Sequence, residues 1–584
     1  EFDFASLLEF SKRHQVPLHP KYTYYWGDLD TKEINEFRNQ LIRNGEKVKD
    51  NSFPLVYKEI FLRLGIFFKI SDNSIVLEDG VEPLFHNLGL EIKNNSLESS
   101  TDVLDTKDSV ALISHLSGVI IKNRAPTKIG ASMGRPEKAK ERRMKPPPNV
   151  LFPLGEAGGS QRLVNTALKS SNKRSRGRPG IIEVETQLRY CKECQKETVS
   201  IHCCKTQTMV KDQARRRSVN VSELITKAMN NTRTGILPKI KGVKGLVSDQ
   251  KVPECLEKGI LRAKYDLRVY KDGTLRYDMI DLPITHFYPK EIGLTVDKAK
   301  QLGYLKDING QPLESDDQLL EMKVQDLIVS ERSGNWLVKV SNFVDEELSR
   351  LYGMKPFYGL EPNSKPEELI GNLLICLSPH TSAGVLTRLI GFTSAKAQYG
   401  HPFLHAAKRR NCDGDEDSIM LLVDGLLNYS SSFVPGTRGG TMDIPRVLST
   451  RIDPTEIDSE AHNIELNTEY SSEFYTLAEK RSEPNTVISL LDTVSQRLES
   501  PDQYENYGFT HESSSINKGP VESRYVILGS MSEKALASLE LASRTRASDA
   551  AYVAEQTIEK HFIRDIIGNL RSFSTQGVRC KKCP

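Results

Sequence analysis

Apolar positions recur at helical spacing over Ile34, Phe37, Leu41 and Ile42, which predicts an amphipathic helix. The short run Ser74-Ile75-Val76-Leu77 predicts a strand. Between 93 and 108 Ser, Asn and Asp predominate, and a loop or linker is expected there. From 236 to 345 the rhythm shortens. Leu267-Arg268-Val269-Tyr270 and Thr274-Leu275-Arg276-Tyr277 flank Lys271-Asp272-Gly273, a hairpin signal, and further strands are expected within Leu319–Val329 and Trp336–Val340. A helical patch at Phe343–Tyr352 leads to the apolar stretch Leu369–Leu377, then to a region rich in Gly, Ala and aromatics at 384–407. Ile419, Leu422, Val423, Leu426 and Leu427 recur at helical spacing, as do apolar residues across Glu533–Leu570.

At 584 residues the chain exceeds the roughly 250–300 residues at which one core stops growing, so several domains are expected. Its 80 Lys and Arg against 77 Asp and Glu leave a net charge of only +3; a polyanion site must therefore come from local clustering. Such clusters exist. Arg135, Lys138, Lys140, Arg142 and Arg143 lie in a basic stretch from 122 to 145, and Lys173–Pro179 forms a second. No run of about 18 apolar residues is present, which predicts no membrane-spanning helix. The start, Glu1-Phe2-Asp3-Phe4, has no leader pattern, and the chain reads as an internal fragment lacking both termini.

The nine cysteines are uneven: Cys191, Cys194, Cys203 and Cys204 cluster, and Cys580 and Cys583 form a CxxC near the end. This spacing suits zinc in a reducing compartment better than a disulfide framework. His202 is an alternative ligand at the first cluster, because adjacent cysteines seldom bind one ion together. Cys580 and Cys583 read as half of a truncated second module.

The densest chemistry is Asn411-Cys412-Asp413-Gly414-Asp415-Glu416-Asp417, following Lys408-Arg409-Arg410. Alternating carboxylates around a glycine repel one another unless a hard cation neutralises them, and Mg²⁺ suits that donor set. An EF-hand counted from Asp413 fails, since its sixth and twelfth positions are Ser418 and Asp424. A solvated acidic loop capping a helix after Ser418 is the plainer alternative.

The run His401-Pro402-Phe403-Leu404-His405-Ala406-Ala407-Lys408-Arg409-Arg410-Asn411-Cys412-Asp413-Gly414-Asp415-Glu416-Asp417 closely resembles the large, catalytic subunit of archaeal family D DNA polymerases. So do Met133-Gly134-Arg135-Pro136-Glu137-Lys138, Lys241-Gly242-Val243-Lys244-Gly245-Leu246 and Thr285-His286-Phe287. The resemblance implies an α+β multidomain fold with two double-psi β-barrels in an RNA-polymerase-like core, helical accessory regions and zinc modules. Its expected divisions are an accessory region at 1–115, a basic DNA-contacting region with a zinc module at 116–235, a first barrel region at 236–345, a second with the aspartates at 346–470, a helical region at 471–579, and a truncated zinc module at 580–584.

The implied activity is DNA-templated DNA synthesis by two-metal nucleotidyl transfer. Asp413 and Asp415 would hold Mg²⁺, with Asn411 and Asp417 as secondary candidates. Lys241 and Lys244 would act on phosphates, and Lys408, Arg409, Arg410 and the 135–143 cations on DNA. The expected partners are primer–template, dNTPs, a small exonuclease subunit and, through a missing C-terminal tail, a sliding clamp, in an archaeal cytoplasm at the nucleoid. An RNA-polymerase-like transferase and a non-catalytic zinc-bearing nucleic-acid scaffold are the alternatives. His401 and His405, four apart across Pro402, read as packing or DNA-contacting residues.

Overall fold

A computed structural model describes residues 3–44, 52–71, 74–77, 80–93, 96–124, 144–170, 179–204, 206–410, 412, 415–508, 515–519, 521–546 and 548–577. Asn411, Asp413, Gly414, Cys580, Cys583, the 135–143 cations and Lys173–Arg178 lie outside the described residues. The chain divides into two compact units, 1–137 with 530–584, and 138–529.

In the first unit the predicted helix spans Thr31–Arg43, started by a capping box in which Asp30 and Glu33 each satisfy the other's backbone N–H. Ile34, Phe37 and Leu41 are buried in a core with Trp26, Phe53 and Phe61. The strand Ser74–Leu77 forms as expected. The expected loop at 93–108 instead begins with a hairpin, pairing Leu90–Lys93 with Ser96–Ser99. The helical C-terminal pattern forms helices at Met531–Arg544, Ala550–Thr557 and Ile563–Thr575.

The second unit is built around six strands: β1 (Tyr277–Pro283), β2 (Asp326–Ser330), β3 (Leu373–Leu377), β4 (Ala383–Thr393), β5 (Ala397–Gly400) and β6 (Glu416–Leu421). They pair in the order β2-β5-β1-β6-β3-β4, and β4 returns to β2, so the sheet closes into a barrel. Closure removes the free edges that would otherwise recruit other strands. The β1–β5 and β2–β4 pairs are parallel and the others antiparallel. Every residue of β2 is buried. The barrel draws two strands from 236–345 and four from 346–470, so the expected division at 345 passes through it.

Two local expectations are corrected. Trp336–Val340 is part of helix α1 (Glu331–Glu347), not a strand; the Ser330 side chain caps it by accepting from Ser333 N–H. The 267–277 hairpin keeps its turn, with Gly273 at φ +96°, but Leu267–Tyr270 is not a strand because Val269 N–H turns to the Pro148 carbonyl.

Candidate active site and metal centre

Helix α2 (Pro402–Ala407) starts at His401, whose Nδ1 accepts the Phe403 N–H at 3.1 Å. Both histidines are buried, and His405 Nε2 lies 3.0 Å from the Leu282 carbonyl oxygen; they are packing residues and not DNA contacts. The chain leaves α2 at Lys408, passes through the acidic segment and enters β6 at Glu416. Because Ser418 lies inside a strand and the next helix starts only at Leu422, the acidic segment does not stand at a helix N-terminus.

Lys408 was expected to face DNA. It is instead completely enclosed, with Nζ 2.9 Å from Asp281 Oδ2 and 2.5 Å from Asp417 Oδ2. A buried ammonium without opposite charge is strongly disfavoured, and the two carboxylates supply that charge. Gln398 donates to the other oxygen of Asp281, and Ser378 Oγ donates to Asp417 Oδ2 at 2.6 Å. Burial alone would raise the Asp281 carboxyl, but the Lys408 ammonium and neighbouring donors hold it below its ordinary range. At Asp417 burial prevails over Lys408; together with the nearby Asp281 charge it pushes the carboxyl up to about 7.

Arg410 Nε stands 3.2 Å from Asp415 Oδ2 and 3.6 Å from Asp417 Oδ1. Of Lys408, Arg409 and Arg410, all expected to face DNA, only Arg409 is exposed; Arg410 is turned onto Asp415 and Asp417. Asp415 is partly exposed, and its carbonyl accepts the Asp281 N–H at 3.0 Å. Among the described residues, Asp417 Oδ1 is buried with no hydrogen-bond partner. Arg410 thus faces one oxygen of each carboxylate, and carboxylate oxygens are hard donors of the kind Mg²⁺ takes. The structure therefore brings Lys408, Arg410, Asp415 and Asp417 together, and adds Asp281, Gln398 and Ser378, which the motif reading missed. An acid inside the apolar run Met279-Ile280-Asp281-Leu282 was the available signal, since a buried charge requires a partner.

Lys241 and Lys244 lie on another segment of the same unit. The Lys241 carbonyl accepts the Asn149 N–H at 2.7 Å, and Val243 N–H reaches the Phe152 carbonyl at 2.9 Å. A Cβ at Gly242 would stand 2.6 Å from the Phe152 oxygen, so glycine permits this close approach. Lys244 Nζ pairs with Glu156 at 2.6 Å; both side chains are exposed.

A second centre sits on the hairpin of Ile181–Tyr190 and Met209–Asn220. The sulfurs of Cys191, Cys194, Cys203 and Cys204 all lie within 4.8 Å of one another, a donor set that suits a metal such as zinc. His202 is exposed and outside this group, so the fourth thiol is Cys204. The adjacent cysteines both reach the centre because Cys204 adopts φ +50°, turning the chain sharply between them. Backbone N–H from Cys194 is the main reason the Cys191 thiol falls to about 7.

These features define a mixed α/β multidomain protein with a closed six-strand barrel, a charged core beneath an acidic loop, and a separate four-thiol knuckle. Residues 232–534 match the family described as DNA polymerase II large subunit DP2, catalytic domain, and residues 2–223 match its central domain. The chain belongs to the DNA polymerase II large subunit family. It is 46% identical to the DNA polymerase II large subunit of Methanocella arvoryzae, over 98% of this chain and 53% of that protein. It is 43% identical to that of Methanosarcina barkeri, over 99% and 53%, and 42% identical to that of Methanothermobacter thermautotrophicus, over 100% and 52%. The chain thus spans about half the length of these relatives. Among the described residues no helix is long and apolar enough to cross a membrane.

Proposed function

We propose that this chain is the polymerising portion of a DNA-templated DNA polymerase, extending a primer 3′-hydroxyl with dNTPs. The observation that carries this reading is the acidic segment that enters the barrel at Glu416, with Asp417 fixed on Lys408, in a chain whose family is that of the DNA polymerase II large subunit. In this reading Asp413 and Asp415 hold Mg²⁺, with Asn411 and Asp417 beside them. Magnesium there would supply positive charge for the attacking and leaving oxygens of nucleotidyl transfer. Arg410 keeps the Asp415 carboxylate oriented, while Lys241 and Lys244 act as point charges on phosphates. Arg409 and the cations at 135, 138, 140, 142 and 143 hold the template–primer backbone without reading its sequence.

The six-strand barrel is one of the two double-psi barrels of an RNA-polymerase-like core, and zinc fills the four-thiol knuckle. Cys580 and Cys583 begin a second zinc module. A small subunit supplies 3′–5′ exonuclease activity, a sliding clamp binds elsewhere in the full-length protein, and the assembly works at the archaeal nucleoid in the cytoplasm. The test is primer extension by Asp413→Asn and Asp415→Asn variants of the full-length polymerase. Both are expected to abolish incorporation and leave primer–template binding unchanged. Retained incorporation would place the catalytic metal elsewhere, absence of incorporation by the wild-type protein would favour a non-catalytic scaffold, and incorporation of ribonucleotides in preference to dNTPs would favour the RNA-polymerase-like alternative.

A further inference from the structure

We infer that Lys408 is a positioning residue which clamps the base of the aspartate loop, holding the segment that carries Asp413 and Asp415 in register with the barrel wall. The inference rests on the proposed reading of that loop as a metal site.

The first support is connectivity. Lys408 ends helix α2 and Asp417 sits at the head of β6, so their 2.5 Å contact joins the two ends of the intervening segment. A loop closed at its base has fewer conformations than one tethered only through its flanking elements. The second support is the reach of the same ammonium to Asp281, 2.9 Å away on the neighbouring strand β1. There Asp417 lies opposite Met279, and Asp281 N–H donates to the Asp415 carbonyl at 3.0 Å. Side chain and backbone together therefore fasten the loop to β1. The third is enclosure: Lys408, Asp281 and Asp417 side chains are all fully buried. Solvent does not screen these contacts, and phosphate has no access to the ammonium. Asp417 is thereby committed through Oδ2 to Lys408 and Ser378, while its Oδ1 faces Arg410 Nε at 3.6 Å.

The test compares Lys408→Met, Lys408→Arg, Asp281→Asn and the Lys408→Met/Asp281→Asn double variant in the full-length polymerase. Mn²⁺ binding, single-turnover incorporation across a Mg²⁺ titration, primer–template affinity and thermal melting are measured on each. Partners just outside a metal's own ligands typically change its affinity by about 10–100-fold. Lys408→Met is expected to weaken Mn²⁺ binding and raise the Mg²⁺ requirement within that range, with unchanged primer–template affinity.

The double variant removes one of the two carboxylates left unpaired. It should recover melting stability while its Mn²⁺ affinity stays low, and Lys408→Arg should recover part of both. Asp281→Asn creates no unpaired charge, because Lys408 still faces Asp417, and Gln398 can turn its amide oxygen toward the new amide. It therefore reports loop positioning even if Lys408→Met does not fold, and is expected to weaken Mn²⁺ binding. Wild-type Mn²⁺ affinity and Mg²⁺ response in Asp281→Asn, or in a folded Lys408→Met, would overturn the inference. So would recovery of Mn²⁺ affinity along with stability in the double variant. Wild-type Mn²⁺ binding and incorporation by Asp413→Asn would instead refute the underlying reading of the loop.

Discussion

Lys227 reaches the sulfur cluster from outside it, with Nζ 3.1 Å from Cys203 Sγ. A metal held by four thiolates carries excess negative charge, and an N–H···S bond from an ammonium offsets part of it. Lys227→Met is expected to weaken zinc retention by about 10–100-fold, the usual effect of removing a partner one step beyond the ligands. Competition with a chromophoric chelator measures this. Arg262 and Glu254 form a pair of another kind, 2.8 Å apart and both essentially without solvent exposure. Replacing Arg262 by Met leaves Glu254 charged and buried, for an expected loss of about 3–5 kcal/mol in denaturant unfolding. Asp424 is fully buried, and that burial pushes its carboxyl up to about 7, against the Leu275 N–H bond and the Arg262 charge. Its unfolded value is about 3.9, so folding favours the protonated form. The stability this contributes is complete below about pH 4 and is lost as pH rises through about 7. Thermal melting followed from pH 4 to 8 should show that decline, and Asp424→Asn should flatten it.

At the scale of elements, periodicity found what it describes. The helix Thr31–Arg43, the strand Ser74–Leu77 and the helical C-terminal segment all stand where apolar spacing placed them. It failed where strand and helix share one apolar run. Ile419 belongs to β6 while Leu422–Asn428 forms a helix, and neither half is long enough to impose its own period. The four-cysteine knuckle was legible in its spacing. The enclosure of Lys408 was not. A basic triplet reads as surface charge until the fold supplies Asp281 from a strand more than a hundred residues earlier. The adjacency of Cys203 and Cys204 likewise argued for His202 until the left-handed turn at Cys204 brought both sulfurs inward. Because the knuckle has few buried apolar side chains of its own, a strong chelator should loosen 191–208 and leave the barrel folded. Hydrogen exchange should show faster amide exchange there and unchanged protection in β2, β4 and β6.

For the molecule as a whole, the barrel and the acidic segment both fall within 232–534, the span matching the catalytic domain, and the four-thiol knuckle falls within 2–223, matching the central domain. The barrel is closed and its wall carries Asp281 and Asp417, so it offers a rigid frame on which the start of β6 is held. Such a frame suits a reaction in which placement of phosphates and metal ions, without a protein nucleophile, lowers the barrier. The most direct measurement is anomalous diffraction from the full-length protein bound to primer–template, an incoming non-reactive nucleotide and Mn²⁺. The account predicts a metal peak within about 2.0–2.3 Å of carboxylate oxygens of both Asp413 and Asp415, next to the nucleotide phosphates. Manganese and nucleotide bound together on another surface, with those two carboxylates bare, would contradict it.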